Sequence, residues 1–201
     1  MKPLMLFTIL FFASNLVSAP FDKNLSEAAI ERTKHSVQYD GAYVSIKYPN
    51  GDVPGGTGVC TDVVIRSYRS LGIDLQQLVH EDMANHFMEY PSKRIWGMNR
   101  PDTNIDHRRV PNLQTFFRRH GEHLPISQSP DAYKVGDLVT WLLPGNLPHI
   151  GIVIDKIDPN SGNPIIVHNI GRGPEASDML FSYDITGHFR FDPSIAIQST
   201  Q

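Results

Sequence analysis

The chain reads as an α+β domain, with N-terminal helices packed on a small antiparallel sheet. Three observations predict this. Ahead of residue 130, apolar residues recur at three- and four-residue spacing, the period of a helix face. Beyond residue 130 the apolar residues fall into short strand-like runs. Two of those runs are joined by "DPNSGNP", a hairpin loop too short for a helical crossover, so the strands run antiparallel. The chain has 201 residues, 40% of them hydrophobic, which suits one domain with its own core.

The elements follow in order. "NLSEAAIERTKHSVQYD" (24–40) predicts a first helix with Ser26 as its N-cap. "YVSIKY" (43–48) alternates like a strand, and Pro49, Gly51 and Pro54 break it. From Cys60 the spacing of Val63, Val64, Ser67, Tyr68 and Leu71 predicts a helix that Gly72 stops. "DLQQLVHEDMANHFMEY" predicts another, closed by Pro91. Pro111 suits the first turn of a helix carrying Leu113, Phe116 and Phe117 and ending at Gly121. The predicted strands are "GDLVTWLL", "HIGIVIDKI", "NPIIVHNI" and a short "GHFRF".

The N-terminus has one lysine, an apolar run from Leu4 to Ala13, and small residues at Val17 and Ala19. That is the three-part pattern of a secretory signal over residues 1–19, leaving 20–201 as a single domain. The apolar run is too short to span a bilayer, and no later segment is apolar enough to do so. The protein is therefore expected to be exported, periplasmic or secreted, with no stable membrane span in the mature chain. Formal net charge is −3 and no face or tail is strongly basic, which argues against a nucleic-acid partner.

Export gives meaning to the lone cysteine. Cys60 has no second cysteine to pair with inside the chain. It is an inert buried thiol, an intermolecular bridge or a reactive nucleophile. A helix N-terminus and a nearby imidazolium both lower a thiol pKa, and Cys60 stands at the start of a predicted helix. Among nine histidines, His149 opens one strand, and His168 lies on the next, where it can reach the His149 imidazole. A base oriented by a second polar group is the usual support of an activated nucleophile. Asn169 is the alternative to His168 as that third group.

"GVCTDVVIRSYRSLG", "GDLVTW", "HIGIVID" and "IIVHNI" stand in the order of the NlpC-like cell-wall peptidases, a papain-like superfamily, and the chain resembles them over about residues 55–170. The resemblance implies a papain-like fold, nucleophile Cys60, base His149 and orienting residue His168. "YPNGDVPGGTGVCTDVVIRSYR", "LVHEDM", "RPDTNIDHRRVPNL" and "HNIGRGPEASDMLF" further resemble a narrower group of exported bacterial proteins, a domain of unknown function, over nearly the whole mature chain. The family's Asp-Cys-Ser-Gly is Val-Cys-Thr-Asp here, and residues 72–130 form an insertion beyond its compact core.

The function so implied is hydrolysis of peptide or amide bonds in peptidoglycan or an envelope peptide. A non-catalytic envelope module and an acyltransferase using Cys60 and His149 are the alternatives. Tyr48 is a candidate oxyanion donor, and Arg108 and Arg109 are candidates to grip a substrate carboxylate. Asp62 in the first helical turn, Trp141 beside the cleft and Asn169 complete the candidate substrate-binding set. "PGGTG" lacks the Lys-Ser/Thr ending of a phosphate loop. No metal-ligand spacing is present, so neither metal nor cofactor is expected.

Overall fold

The structure, a computed structural model, describes residues 20–193. In chain order the elements are α1 (Phe21–Arg32), β1 (Gln38–Tyr39), β2 (Thr57–Gly58), α2 (Cys60–Ser70), α3 (Leu75–His86), α4 (Ser92–Trp96), α5 (Val110–His120), β3 (Glu122–Leu124), β4 (Leu138–Leu143), β5 (Leu147–Ile157), β6 (Pro164–His168), β7 (Glu175–Ser177) and β8 (Asp184–Arg190). Residues 1–19, where the sequence predicts a signal segment, lie outside the described residues.

The α+β arrangement of helices on one antiparallel sheet is as the sequence predicts. Six strands form the sheet in the order β3-β8-β4-β5-β6-β7, and every neighbouring pair is antiparallel. Alternate residues divide its two faces. Leu138, Ile150, Ile152, Val167 and Phe189 meet helices α1, α2 and α5 in one core. Val139, Trp141, Val153 and Ile166 form a second core with Tyr133, Met179 and Leu180 from the flanking loops. On α2, Val64, Ile65 and Tyr68 are buried to 1% exposure or less. Each such side chain contributes about 1.5–3 kcal/mol, which holds this helix, and Cys60 at its head, against the sheet.

Two local readings are corrected. The first helix starts at Phe21 and ends at Arg32, so Ser26 is not its cap. The Ser26 hydroxyl is buried and accepts from the Asp155 N–H at 2.9 Å, tying α1 to the end of β5. Residues 43–48 are not a strand. Alternation needs a partner ladder, and here the Ile46 N–H donates to the Asn104 side chain (2.9 Å) while Gln76 donates to the Lys47 carbonyl (2.9 Å). The short strands β1, β3 and β7 have too few residues to show a period.

Candidate active site

The site is assembled where α2 begins. Gln38 and Tyr39 pair in parallel with Thr57 and Gly58, bringing the chain to Val59 in extended conformation, and the helix starts at Cys60. Asp62 reaches back to accept from the Val59 N–H at 2.7 Å, which fixes the helix start. Arg108 clamps the same carboxylate with Nε (2.9 Å) and Nη2 (3.0 Å), and both side chains are 2% exposed. Thr61 adds a bond to the Arg108 carbonyl at 3.1 Å. Gly58 is needed for this packing, because a Cβ there would lie 3.1 Å from the Asp62 Cβ.

The backbone N–H groups of Ile150, Thr61 and Cys60 itself favour the Cys60 thiolate. Ile150 follows His149 directly. Cys60 and Ile150 pack in the same core, which brings the head of α2 to the strand position that follows His149. Thiol and imidazole come from different sides of the sheet. Cys60 belongs to the helix-covered core, while His149 is in register with Trp141, on the other face. The ladder between β5 and β6 ends at Ile152 and Val167, so Ile150 and His149 lie beyond it and pair with β4 alone.

His149 Nε2 lies 3.1 Å from His168 Nδ1, with the rings edge to face. His168 Nε2 lies 2.8 Å from the Ser177 hydroxyl on β7. Glu175 Oε1 stands 4.0 Å from the same nitrogen. Gly151 makes room for this chain of contacts. A Cβ on it would meet Ile166 Cγ2 at 2.5 Å and the His168 Cβ at 3.2 Å. His168, and not Asn169, is therefore the group on His149.

The electrostatics correct one expectation. Burial pushes the Cys60 thiol up to about 11, outweighing the N–H groups at the helix start, and the residue is 4% exposed. Burial, then the neighbouring His168, holds His149 down at about 3, and burial holds His168 at about 4. At neutral pH the thiol on the helix side and the two imidazoles on the other face are thus all neutral.

The remaining candidates are placed elsewhere or otherwise engaged. Tyr48 packs its ring on His80 of α3 at 5.0 Å. Beyond burial, the charges that raise its phenol are Glu81 and Asp74, away from Cys60. Its segment is tied to the far half of α2, where Arg69 donates to the Gly51 carbonyl at 2.7 Å. Tyr39, on the strand that pairs with Gly58 two residues before Cys60, has its phenol raised by burial and then by the charges of Cys60 and Asp62. Sequence spacing missed it because only the β1–β2 pairing places it there.

Arg108 is committed to Asp62. Arg109 lies over the Trp96 ring at 4.1 Å and donates to Asp106 at 3.3 Å, so neither arginine is set to grip a ligand. Trp141 is fully buried, donating to the Leu180 carbonyl at 2.9 Å, and supports His149 from behind with rings 6.0 Å apart. Asn169 is fully buried and holds loops. Its Nδ2 donates to the Gly58 carbonyl at 3.4 Å, and its Oδ1 accepts from Gly171 and Gly173. Among the described residues, no cluster of three or more His, Cys, Asp or Glu could hold a metal. Among them also, no helix is long and apolar enough to cross a membrane.

The chain is 50% identical over 167 residues to the uncharacterized protein YijF of Escherichia coli (strain K12), covering 83% of this chain and 80% of that protein. Among solved structures it is similar to NlpC1 from Trichomonas vaginalis, with a TM-score of 0.46 at 14% identity over 88% of this chain and 46% of that one. NlpC2 from the same organism gives 0.43 at 16% identity over 90% and 50%. The chain spans about half the length of those two proteins. Residues 26–191, a stretch holding every candidate residue named above, match the family described as a domain of unknown function, DUF1287, and the chain belongs to that family.

Proposed function

We propose that the protein is an exported cysteine hydrolase that cleaves peptide or amide bonds in peptidoglycan. The observation that carries this is Cys60 at a helix start, packed in one core with Ile150, the residue after His149, with His149 bonded to His168. The motif resemblance supports peptidoglycan as substrate, and the signal-like residues 1–19 support export.

The neutral site fixes a direction of proton flow. If Ser177 accepts from His168 Nε2–H, His168 Nδ1 is bare and accepts from His149 Nε2–H. His149 Nδ1 is then the free base. As the sulfur attacks the substrate carbonyl carbon, Nδ1 takes the thiol proton. The oxyanion is held by the Cys60 backbone N–H. Collapse breaks the C–N bond, and the protonated His149 gives its proton to the leaving amine. Water, deprotonated by His149, then cleaves the Cys60 thioester and releases a carboxylic acid.

The test is incubation of the purified mature protein with purified peptidoglycan, with released fragments identified by mass spectrometry. Soluble fragments bearing new amine and carboxyl ends, absent with Cys60→Ala, are expected. Intact peptidoglycan would overturn the reading. A non-catalytic envelope module is the second reading, and the observation that favours it is the thiol's burial and high pKa. Saturable binding of peptidoglycan without release of fragments would select it.

A further inference from the structure

We propose that the cavity along the outer side of α2 is a binding site for a small oxyanion, a carboxylate or a phosphate. The cavity measures about 330 Å³. Val59, Arg66 and Arg69 lie along one side of α2, and Arg32 and His35 enter from the end of α1. Three guanidinium groups thus share one small space.

Their neutralisation is incomplete. Asp52 serves two of them, lying 3.0 Å from Arg66 Nε and 2.8 Å from Arg69 Nη1. Asp62, which also lines the cavity, is held by Arg108 and the Val59 N–H. Arg32 has no carboxylate partner among the described residues. Its Nη2 lies 3.1 Å from His35 Nε2, which must accept, because a guanidinium has only donors. The Nε atoms of Arg32 and Arg69 are buried with no hydrogen-bond partner among the described residues. Those Nε atoms are sealed inside the protein, so what a ligand would meet is the excess charge, three guanidinium groups around the single carboxylate that Arg66 and Arg69 share. The planar N–H fork matches a carboxylate or phosphate oxygen pair. The site adjoins Cys60 through Val59 yet does not depend on any chemistry at the sulfur.

Binding is therefore measured on the Cys60→Ala protein, by calorimetry and thermal melting. Inorganic phosphate and glutarate are titrated separately, at ionic strength matched with sodium chloride. The proposal expects saturable heat and a rise in melting temperature with at least one anion. Which anion acts assigns the site to phosphate or carboxylate chemistry. Arg32→Gln should weaken that binding about tenfold or more, the effect of losing a hydrogen bond to a charged group. Arg32→Lys, which keeps the charge but loses the fork, should fall between. Arg118→Gln, outside the cavity, should bind like the parent. Absence of saturable binding by both anions, or equal binding by parent and Arg32→Gln, overturns it. Neither result bears on the hydrolase reading.

Discussion

Raising the pH should unmask the Cys60 thiol in a way that a free cysteine does not follow. With the thiol at about 11, roughly one site in 10⁴ is a thiolate at pH 7. A free cysteine near pKa 8.5 is about 3% thiolate there, about 300-fold more. A more basic thiolate attacks faster, which returns about tenfold. Alkylation by iodoacetamide at pH 7 should thus run about 30-fold slower than for free cysteine, and burial of the sulfur slows it further. The rate should climb about tenfold per pH unit up to pH 10. Because Cys60 is the single cysteine, intact mass reports this site alone. His149→Gln should leave the profile unchanged within a few-fold, since His149 is already neutral throughout. A rate at pH 6–7 equal to that of free cysteine, lost in His149→Gln, would refute the reasoning and show a resting thiolate–imidazolium pair.

Three further outcomes follow from particular contacts. Ser177→Ala should lower turnover about tenfold, less than the roughly 10²–10⁴-fold of a general base itself, because Ser177 only orients His168, while changing stability little. Nitrogen-15 spectra of the His149 and His168 rings should show the tautomers losing their fixed assignment, and unchanged spectra would reject the role given to Ser177. Arg108→Ala leaves the buried Asp62 carboxylate without its clamp and should cost about 3–5 kcal/mol in urea unfolding, and a loss under 1 kcal/mol would contradict the packing described. Stability should also fall as pH drops from about 6.5 toward 4. His107, His149 and His168 stay neutral when folded, at about 3, 3 and 4, but take protons once unfolded. At pH 5 each such imidazole costs about 2 kcal/mol, and His107→Gln should flatten the slope by that amount.

What was legible in the sequence depended on length and on locality. Helices α2, α3 and α5 and strands β4, β5 and β6 are long enough for their periods to show, and their packing agrees with them. The first helix was displaced because Ser26 looks like a cap, whereas its hydroxyl is recruited by the distant Asp155 N–H. "YVSIKY" alternates but finds no strand beside it. At the site, Cys60, His149 and His168 carried a motif with an order. Tyr39 and Ser177 carried none, since each reaches its place through a two- or three-residue strand. Arg108 read as a surface grip because its partner, Asp62, lies 46 positions away in sequence. Arg32, Arg66 and Arg69 likewise look like ordinary solvated charges until α1 and α2 are set side by side.

The most direct measurement is the mass of the Cys60-containing peptide from an acid-quenched reaction of the mature protein with soluble peptidoglycan peptides. The account predicts an adduct equal to the acyl half of the substrate, labile to hydroxylamine and missing in Cys60→Ala. Cleavage that proceeds at full rate in Cys60→Ala, with no adduct in the parent, would contradict it.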